Sequence, residues 1–376
     1  MPNDPELIII VDFKGIVKNN ASTIQRHELY GSTLSSITNG NTRLLILGNV
    51  PHKFELGEFT NLEFTFLPKS SKFMPIFIAM SVRTLWHKRQ RIKMIVAGDP
   101  WTTLLVAKII RYILNTKIGL QVQLHGDFFS SAWQGLRLQN RIAGHLLPLL
   151  LRNCESIRVV NSSQGQDLID YCNIETNRIV CVPLPLNVPR IPANNIRHEG
   201  LPLAFVGRLE EERGLSNLLQ LVKLIPEVFV ARTLWISGAG KKRVSLEREL
   251  EMLLPHEAFV FTGELEAREL MEMWTRVGIL LSLAPAETYG LAMREAIVNG
   301  VPVLAVSSAG SMALKQFLNG DELIIIDEPF ERAKITEQLS ILDKVQIAES
   351  TRNALYSESA KFVEILCTSW LRTTEK

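Results

Sequence analysis

Cysteine is scarce. Cys154, Cys172, Cys181 and Cys367 are the only four in 376 residues, and they form neither a C-x-x-C pair nor a regular framework. That excludes a disulfide scaffold and points to reduced thiols in a cytoplasm. No Asp-x-Asp occurs, and no cluster of His, Cys and carboxylates has metal-ligand spacing, so nothing visible requires a divalent ion. No apolar run reaches the roughly 20 residues of a membrane span. The two most apolar stretches, around 74–82 and 142–151, are interrupted by Pro75, His145 and Pro148. Residues 1–6 are polar and acidic and contain Pro2 and Pro5, unlike a signal peptide. Low-complexity tracts are missing too, which leaves disorder to the termini.

What is present is apolar side chain for a large interior, 46% of the chain. At 376 residues the chain is too long for one ordinary core and suits two domains of roughly 150–200 residues. The net charge of +2 hides an asymmetry. Residues 1–195 carry 21 Lys and Arg against 13 Asp and Glu, a balance of +8; residues 196–376 carry 20 against 26, a balance of −6. A basic half could face anionic lipid, nucleic acid or an anionic acceptor, although drift between halves explains it equally well. No nucleic-acid recognition module accompanies the charge, so nucleic acid is not the expected partner.

Short apolar runs at 7–11, 43–47, 63–67, 93–97, 120–124, 157–160 and 179–182 predict buried parallel strands. Helix-length segments such as 102–114 and 135–151 lie between them. Pro183, Pro185, Asn187, Pro189, Pro192, Asn194, Asn195 and Gly200 then mark a linker. The alternation restarts at 203–206, 233–236, 259–261, 279–283, 302–306 and 323–326. After about Pro329 the chain reads as helix, with Phe362, Ile365, Leu366 and Trp370 as a buried stripe. The expected architecture is α/β: two Rossmann-like, doubly wound domains, 1–190 and 201–356, facing across a cleft and joined by 191–200. A helix over 357–376 could cross back to the first domain.

Glu287 and Glu295, in Glu-Thr-Tyr-Gly-Leu-Ala-Met-Arg-Glu, lie between the strands predicted at 279–283 and 302–306. The Tyr289-Gly290 step opens the intervening helix. Two carboxylates and a helix N-terminus therefore sit at the carboxyl edge of a parallel sheet, where open α/β sheets bind ligands and amides attract phosphate. Arg208 and Arg213, in Val-Gly-Arg-Leu-Glu-Glu-Glu-Arg-Gly, follow the first strand of the second series to the same edge. Guanidinium forks there can hold phosphate oxygens, or can pair with Glu210, Glu211 and Glu212 as a solvated cluster. Carboxylates for hydroxyls and cations for phosphates suit a nucleotide-activated sugar.

These residues resemble the retaining GT-B nucleotide-sugar transferases of glycosyltransferase family 4 (group 1). The likeness runs over Phe205-Val206-Gly207-Arg208-Leu209, Arg213-Gly214, Ile236-Ser237-Gly238-Ala239-Gly240, Phe261-Thr262-Gly263, Glu287 through Glu295, and Asn299-Gly300-Val301-Pro302-Val303. A looser echo lies in Leu124-His125-Gly126 and Val160-Asn161-Ser162. The resemblance implies that Arg208 and Arg213 neutralise the diphosphate, that Glu287 binds sugar hydroxyls and that Glu295 binds the ribose. It also implies phosphate contacts from amides near Tyr289, Gly290 and Leu291, a base contact near Gly263, Glu264 and Leu265, and His125 approaching the sugar. Lysine is usual where Arg213 stands, serine where Ala284 stands, and a glycine-rich loop where this chain has Phe13-Lys14-Gly15-Ile16. Gly15 still permits a tight turn. Read without the family, His125 is a structural histidine and the neighbouring Asp127 a helix N-cap.

The implied activity is transfer of a sugar from a nucleotide diphosphate to a hydroxyl of a glycan or lipid-linked acceptor, with retention of configuration and no cofactor. Synthesis of cell-surface polysaccharide or glycolipid would suit it. The same architecture also hosts nucleotide-sugar epimerases and hydrolases, or a silent scaffold. Gly238-Ala239-Gly240-Lys241-Lys242 is neither a dinucleotide fingerprint, with Arg243 in the third glycine position, nor a P-loop. Arg83, Lys88, Arg89, Arg91 and Lys93 surround Leu85 and Trp86, and Arg137 and Arg141 lie among Trp133, Leu136 and Leu138. Both segments read equally as surface helices or as peripheral contacts with an anionic membrane.

Overall fold

The computed structural model describes residues 4–13, 21–49, 62–67, 73–186, 190 and 200–374. Gly15 and most of the expected linker lie outside the described residues. Two compact units emerge: Met1–His125, Ile142–Val182 and Lys361–Lys376 form one, and Gly126–Arg141 with Pro183–Ala360 the other. Against the expected 1–190 and 201–356, the chain changes unit at Val182/Pro183 and at Ala360/Lys361, and Gly126–Arg141 clusters with the second unit.

In the first unit, β1 (Glu6–Asp12), β2 (Thr42–Asn49), β3 (Leu62–Leu67), β4 (Ile92–Ala97), β5 (Gly119–Gln123), β6 (Ser156–Val159) and β7 (Ile179–Cys181) form one sheet. Its order is β3-β2-β1-β4-β5-β6-β7, and each neighbouring pair is parallel. Near-continuous apolar sequence suits strands covered on both faces. Ile8, Ile10, Leu44, Ile46, Met94 and Val96 pack on one face against Tyr30 and Leu34 of the helix Ala21–Ile37 and against Phe362, Leu366 and Trp370. The alternate residues Leu7, Ile9, Leu45 and Ile95 are buried on the other face. The helix Phe362–Thr374 is pinned to the first of these faces by Trp370 Nε1, which donates to Gln121 Oε1 at 2.8 Å. Tyr30 meets Phe362 and Trp370 edge-on at 6.0 and 5.9 Å. Ile365 does not join this stripe; it is 38% exposed, and Cys367 is buried instead.

The second unit repeats the plan with β8 (Leu203–Val206), β9 (Leu234–Ser237), β10 (Phe259–Gly263), β11 (Ile279–Ser282), β12 (Val303–Val306) and β13 (Leu323–Ile326). The sheet is parallel, in the order β10-β9-β8-β11-β12-β13. Leu203, Phe205, Ile279 and Leu281 enter one core cluster, while Ala204, Leu280, Val303 and Ala305 enter the cluster on the opposite face. The period of two is what a strand sandwiched between helices requires. Because β8 is flanked by β9 and β11, the chain reverses its direction of travel across the sheet between β8 and β11. Ligands of open α/β sheets bind outside the carboxyl ends at such a reversal.

Candidate functional site

The turns leaving β8 and β11 carry the second unit's chemistry, and glycine lets them meet. After β8 the chain passes Arg208 and a short 3-10 turn, Glu211–Arg213, before the helix Leu215–Leu224. Gly214 caps that helix at φ +79°, and a Cβ built on it would stand 2.0 Å from the Leu283 carbonyl oxygen just beyond β11. No side chain fits there, so the two turns touch backbone to backbone.

Arg213 reaches across this contact. Its Nη1 donates to Glu287 Oε2 at 2.6 Å, with the side chains 32% and 19% exposed. The other carboxylate oxygen, Oε1, accepts from the Gly290 N–H at 3.1 Å and the Tyr289 N–H at 3.4 Å. Glu287 is thus oriented by a cation and the mouth of the helix Leu291–Val298, yet it still meets solvent. Arg213 has one nitrogen on Glu287, while its Nε is buried with no hydrogen-bond partner. Nε is sealed from solvent, so the part of the 32%-exposed guanidinium that could meet a ligand oxygen lies at its outer end, beside the carboxylate.

The neighbourhood holds this turn firmly. Gly290 takes φ +73° as the helix cap. The Gly310 N–H donates to the Glu287 carbonyl at 2.8 Å, and a Cβ on Gly310 would come 3.0 Å from the Gly290 nitrogen. Arg294 is buried, lies 4.2 Å over the Tyr289 ring, donates from Nε to the Tyr289 carbonyl at 3.3 Å and pairs with Glu358 at 3.3 Å. Sequence reading missed Gly310 and Arg294; only their contacts in space with Glu287, Tyr289 and Gly290 identify them.

The other expected site residues divide. Arg208 does not join Arg213 in a clamp on Glu287: its side chain is 63% exposed and pairs with Glu212 at 3.8 Å, one helical turn away. Tyr289 is buried, with its hydroxyl donating to the Leu184 carbonyl at 3.3 Å, so its side chain serves the fold. The Gly290 N–H is engaged by Glu287, and Leu291 is half-buried beside it. Glu295 is buried within the helix. Gly263 ends β10 and its carbonyl accepts the Gly238 N–H at 2.7 Å, while Glu264 is exposed and Leu265 packs on the core. Three strand steps separate β10 from β11, about 14 Å at roughly 4.8 Å per step. The loop at 263–265 and the turn at 287–290 therefore lie at strands about 14 Å apart along one sheet edge.

In the first unit, the His125 ring meets solvent along part of its surface, and its Nε2 lies 3.3 Å from Gln123 Oε1. Desolvation by crowded neighbours lowers its pKa, with the Arg158 and Arg26 cations adding to the effect, so the ring is neutral near pH 7. Asp127 is not a helix cap; Ser130 caps Ser131–Leu136, accepting from Trp133 N at 3.1 Å. Asn161 does cap its helix, accepting from Gln164 N at 2.8 Å. Among the described residues, no group of three His, Cys, Asp or Glu could hold a metal ion, and no helix is long and apolar enough to cross a membrane.

Residues 190–353 match the family model described as glycosyl transferases group 1. The segment contains both turns of the Arg213–Glu287 contact. A lipopolysaccharide outer core galactosyltransferase, WaaB, superposes with a TM-score of 0.66 at 12% identity, covering 98% of this chain and 99% of that one. The Anabaena HepE protein in complex with UDP and glucose gives 0.66 at 13% identity over the same shares. The chain has the GT-B fold. In sequence it is 30% identical over 128 residues to 2-deoxystreptamine glucosyltransferase of Streptomyces kanamyceticus, 34% of this chain and 33% of that protein. It is 31% identical over 121 residues to the sulfoquinovosyl transferase of Arabidopsis thaliana, 32% of this chain and 22% of that protein. The matched stretches thus span about a third or less of these curated relatives.

Proposed function

We propose that this GT-B chain is a family 4 glycosyltransferase that moves a sugar from a nucleotide diphosphate to a hydroxyl of a glycan or lipid-linked acceptor, with retention of configuration. The observation that carries the reading is the Arg213–Glu287 contact at the reversal between β8 and β11, inside the group 1 segment. Glu287, held by Arg213 and two amides, accepts hydrogen bonds from sugar hydroxyls. Arg213, through the solvent-facing end of its guanidinium, meets the diphosphate. Arg208, free to swing on the surface, closes on the same phosphates when they arrive. Glu295 meets the ribose and the 263–265 loop the base, while His125, neutral, positions the sugar from the first unit.

Reaction follows on one face of the sugar. The bond from the anomeric carbon to the phosphate oxygen breaks as a bond to the acceptor oxygen forms. The departing phosphate oxygen takes the acceptor proton, and the guanidinium groups stabilise the charge that develops on the diphosphate. A role in cell-surface polysaccharide or glycolipid synthesis, at the inner face of a membrane, fits such an acceptor. The test is a panel of nucleotide sugars screened by calorimetry, then mass spectrometry of products from membrane and soluble extracts. One donor that binds and yields a glycosylated product supports the reading; nucleotide release with every acceptor absent from the products favours a hydrolase.

A further inference from the structure

The helix Leu138–Leu151 is apolar on two opposite sides, and only one of them is covered. Its buried residues are Gly144, Leu147 and Leu151. At about 100° per residue, Leu138, Ile142, Leu146 and Leu149 fall within an arc of about 80° centred opposite that buried stripe. They are 73%, 54%, 49% and 62% exposed. The next helix, Thr102–Leu114, lies alongside: Lys108 Nζ donates to the Leu150 carbonyl at 2.5 Å and Arg111 Nη1 to the Asn153 carbonyl at 3.0 Å. It adds exposed Tyr112 and Ile113. Met74–Leu85 packs beside Thr102–Leu114 in turn and brings exposed Phe73 and Trp86 to its ends, Trp86 lying 4.4 Å under the Arg89 guanidinium.

Charge says what covers this layer. Residues 73–153 contain 11 Lys and Arg and only Asp99 and Asp127 as acids; Lys88, Arg91, Lys93 and Arg111 are paired with Glu63, Asp4, Glu6 and Glu155 from outside that stretch, so the excess rests on the other cations. The stretch 128–153, which includes the whole outer stripe, has Arg137, Arg141 and Arg152 and no acid at all. On the same helical projection Arg141, His145 and Arg152 flank the stripe along one side. An acid-free basic border beside exposed leucines repels a cationic partner and suits a surface of negative headgroups over hydrocarbon. Tryptophan at the rim matches the headgroup level.

We propose that the outer faces of these three helices dock in the plane of an anionic lipid bilayer, with Ile142, Leu146 and Leu149 entering the boundary between headgroups and acyl chains. The surface is about 20 Å long, from 14 residues at about 1.5 Å each, and three helices wide. Docking of this surface does not depend on the transferase reading.

The full chain, without any nucleotide sugar, is floated with vesicles of phosphatidylcholine alone and with vesicles of equal parts phosphatidylcholine and phosphatidylglycerol. The expected result is binding to the mixed vesicles only, weakened by high salt. The double variant Ile142→Glu, Leu146→Glu should partition about tenfold or more less well. Should that variant not fold by circular dichroism, the charge reversal Arg137→Glu, Arg152→Glu decides, with a loss of about tenfold or more. Absence of binding, or equal binding by wild type and a folded variant, overturns the proposal. So does light scattering that finds a dimer in the wild type and a monomer in the variant, which would assign the face to a second copy. Each result leaves donor binding, measured separately by calorimetry, free to stand or fail.

Discussion

Alanine at Gly214 should cost the second unit far more than alanine at Gly300, although both glycines occupy the left-handed region at φ +79° and +87°. Any side chain there loses about 1–2 kcal/mol from its own backbone clash. At Gly300 nothing lies within 4 Å of the added Cβ, so the cost ends there. At Gly214 the Cβ would stand 2.0 Å from the Leu283 oxygen and 2.7 Å from the Ala284 nitrogen, both backbone atoms that cannot rotate away. Separating the turns adds roughly 1–3 kcal/mol, for about 2–5 kcal/mol in all. The retreat also moves Arg213, the preceding residue, off Glu287. Urea unfolding of the two variants, followed by the fluorescence of Trp235 and Trp274, measures the difference, and calorimetry with a nucleotide sugar measures the site. Equal stability losses, or unchanged donor affinity in Gly214→Ala, would refute the claim that close approach of these turns builds the site.

Two further outcomes concern the first unit. His27 donates from Nδ1 to the Thr23 carbonyl at 2.7 Å, and burial lowers its pKa from 6.5 to about 4, with the Thr23 bond opposing and Arg26 adding. The unfolded chain takes up the proton first as pH falls. Stability present above about pH 6.5 is therefore lost progressively toward pH 4, by up to about 3 kcal/mol. Denaturant titrations across that window should show a slope that His27→Gln flattens. Trp370 is fully buried and hydrogen-bonded to Gln121, so Trp370→Ala should destabilise the first unit by about 3–5 kcal/mol, read as an earlier urea midpoint.

Much of the fold is legible because each strand is a short apolar run with breakers at its ends. The helix Thr102–Leu114 and the strands Leu203–Val206 and Leu323–Ile326 have the limits their sequences predict. The segment expected as one helix over 135–151 is instead two, Ser131–Leu136 and Leu138–Leu151, separated by Arg137 in an extended conformation at φ −154° and ψ 144°. Gly135, two residues before Arg137, is the only local breaker at this break, while Pro148, the more obvious one, lies within a continuous helix. A local side-chain cap holds the break, with Asn140 Nδ2 donating to the Trp133 carbonyl at 2.8 Å.

The site was legible in its order along the chain and not in its pairings. Spacing brings Arg208, Arg213 and Glu287 to one sheet edge, but only the close approach of two turns selects Arg213 for Glu287 and leaves Arg208 to Glu212. Tyr289 resembles a ligand contact in sequence because it adjoins Gly290. Its burial under Arg294 depends on a residue five positions along, whose role no local pattern announces.

The account's central claim is that Arg213 serves the diphosphate and Glu287 the sugar, and that the two hold each other until a donor arrives. Calorimetric titration of a nucleoside diphosphate lacking the sugar, chosen from the donor that binds, separates the roles when run beside the transfer assay. Arg213→Ala should lose about 10–100-fold in diphosphate affinity, the worth of a charge-assisted bond, and lose transfer as well. Glu287→Gln frees the guanidinium, so it should bind the diphosphate as well as or better than the wild type while transfer falls by orders of magnitude. Wild-type diphosphate affinity in Arg213→Ala, or wild-type turnover in Glu287→Gln, would contradict it.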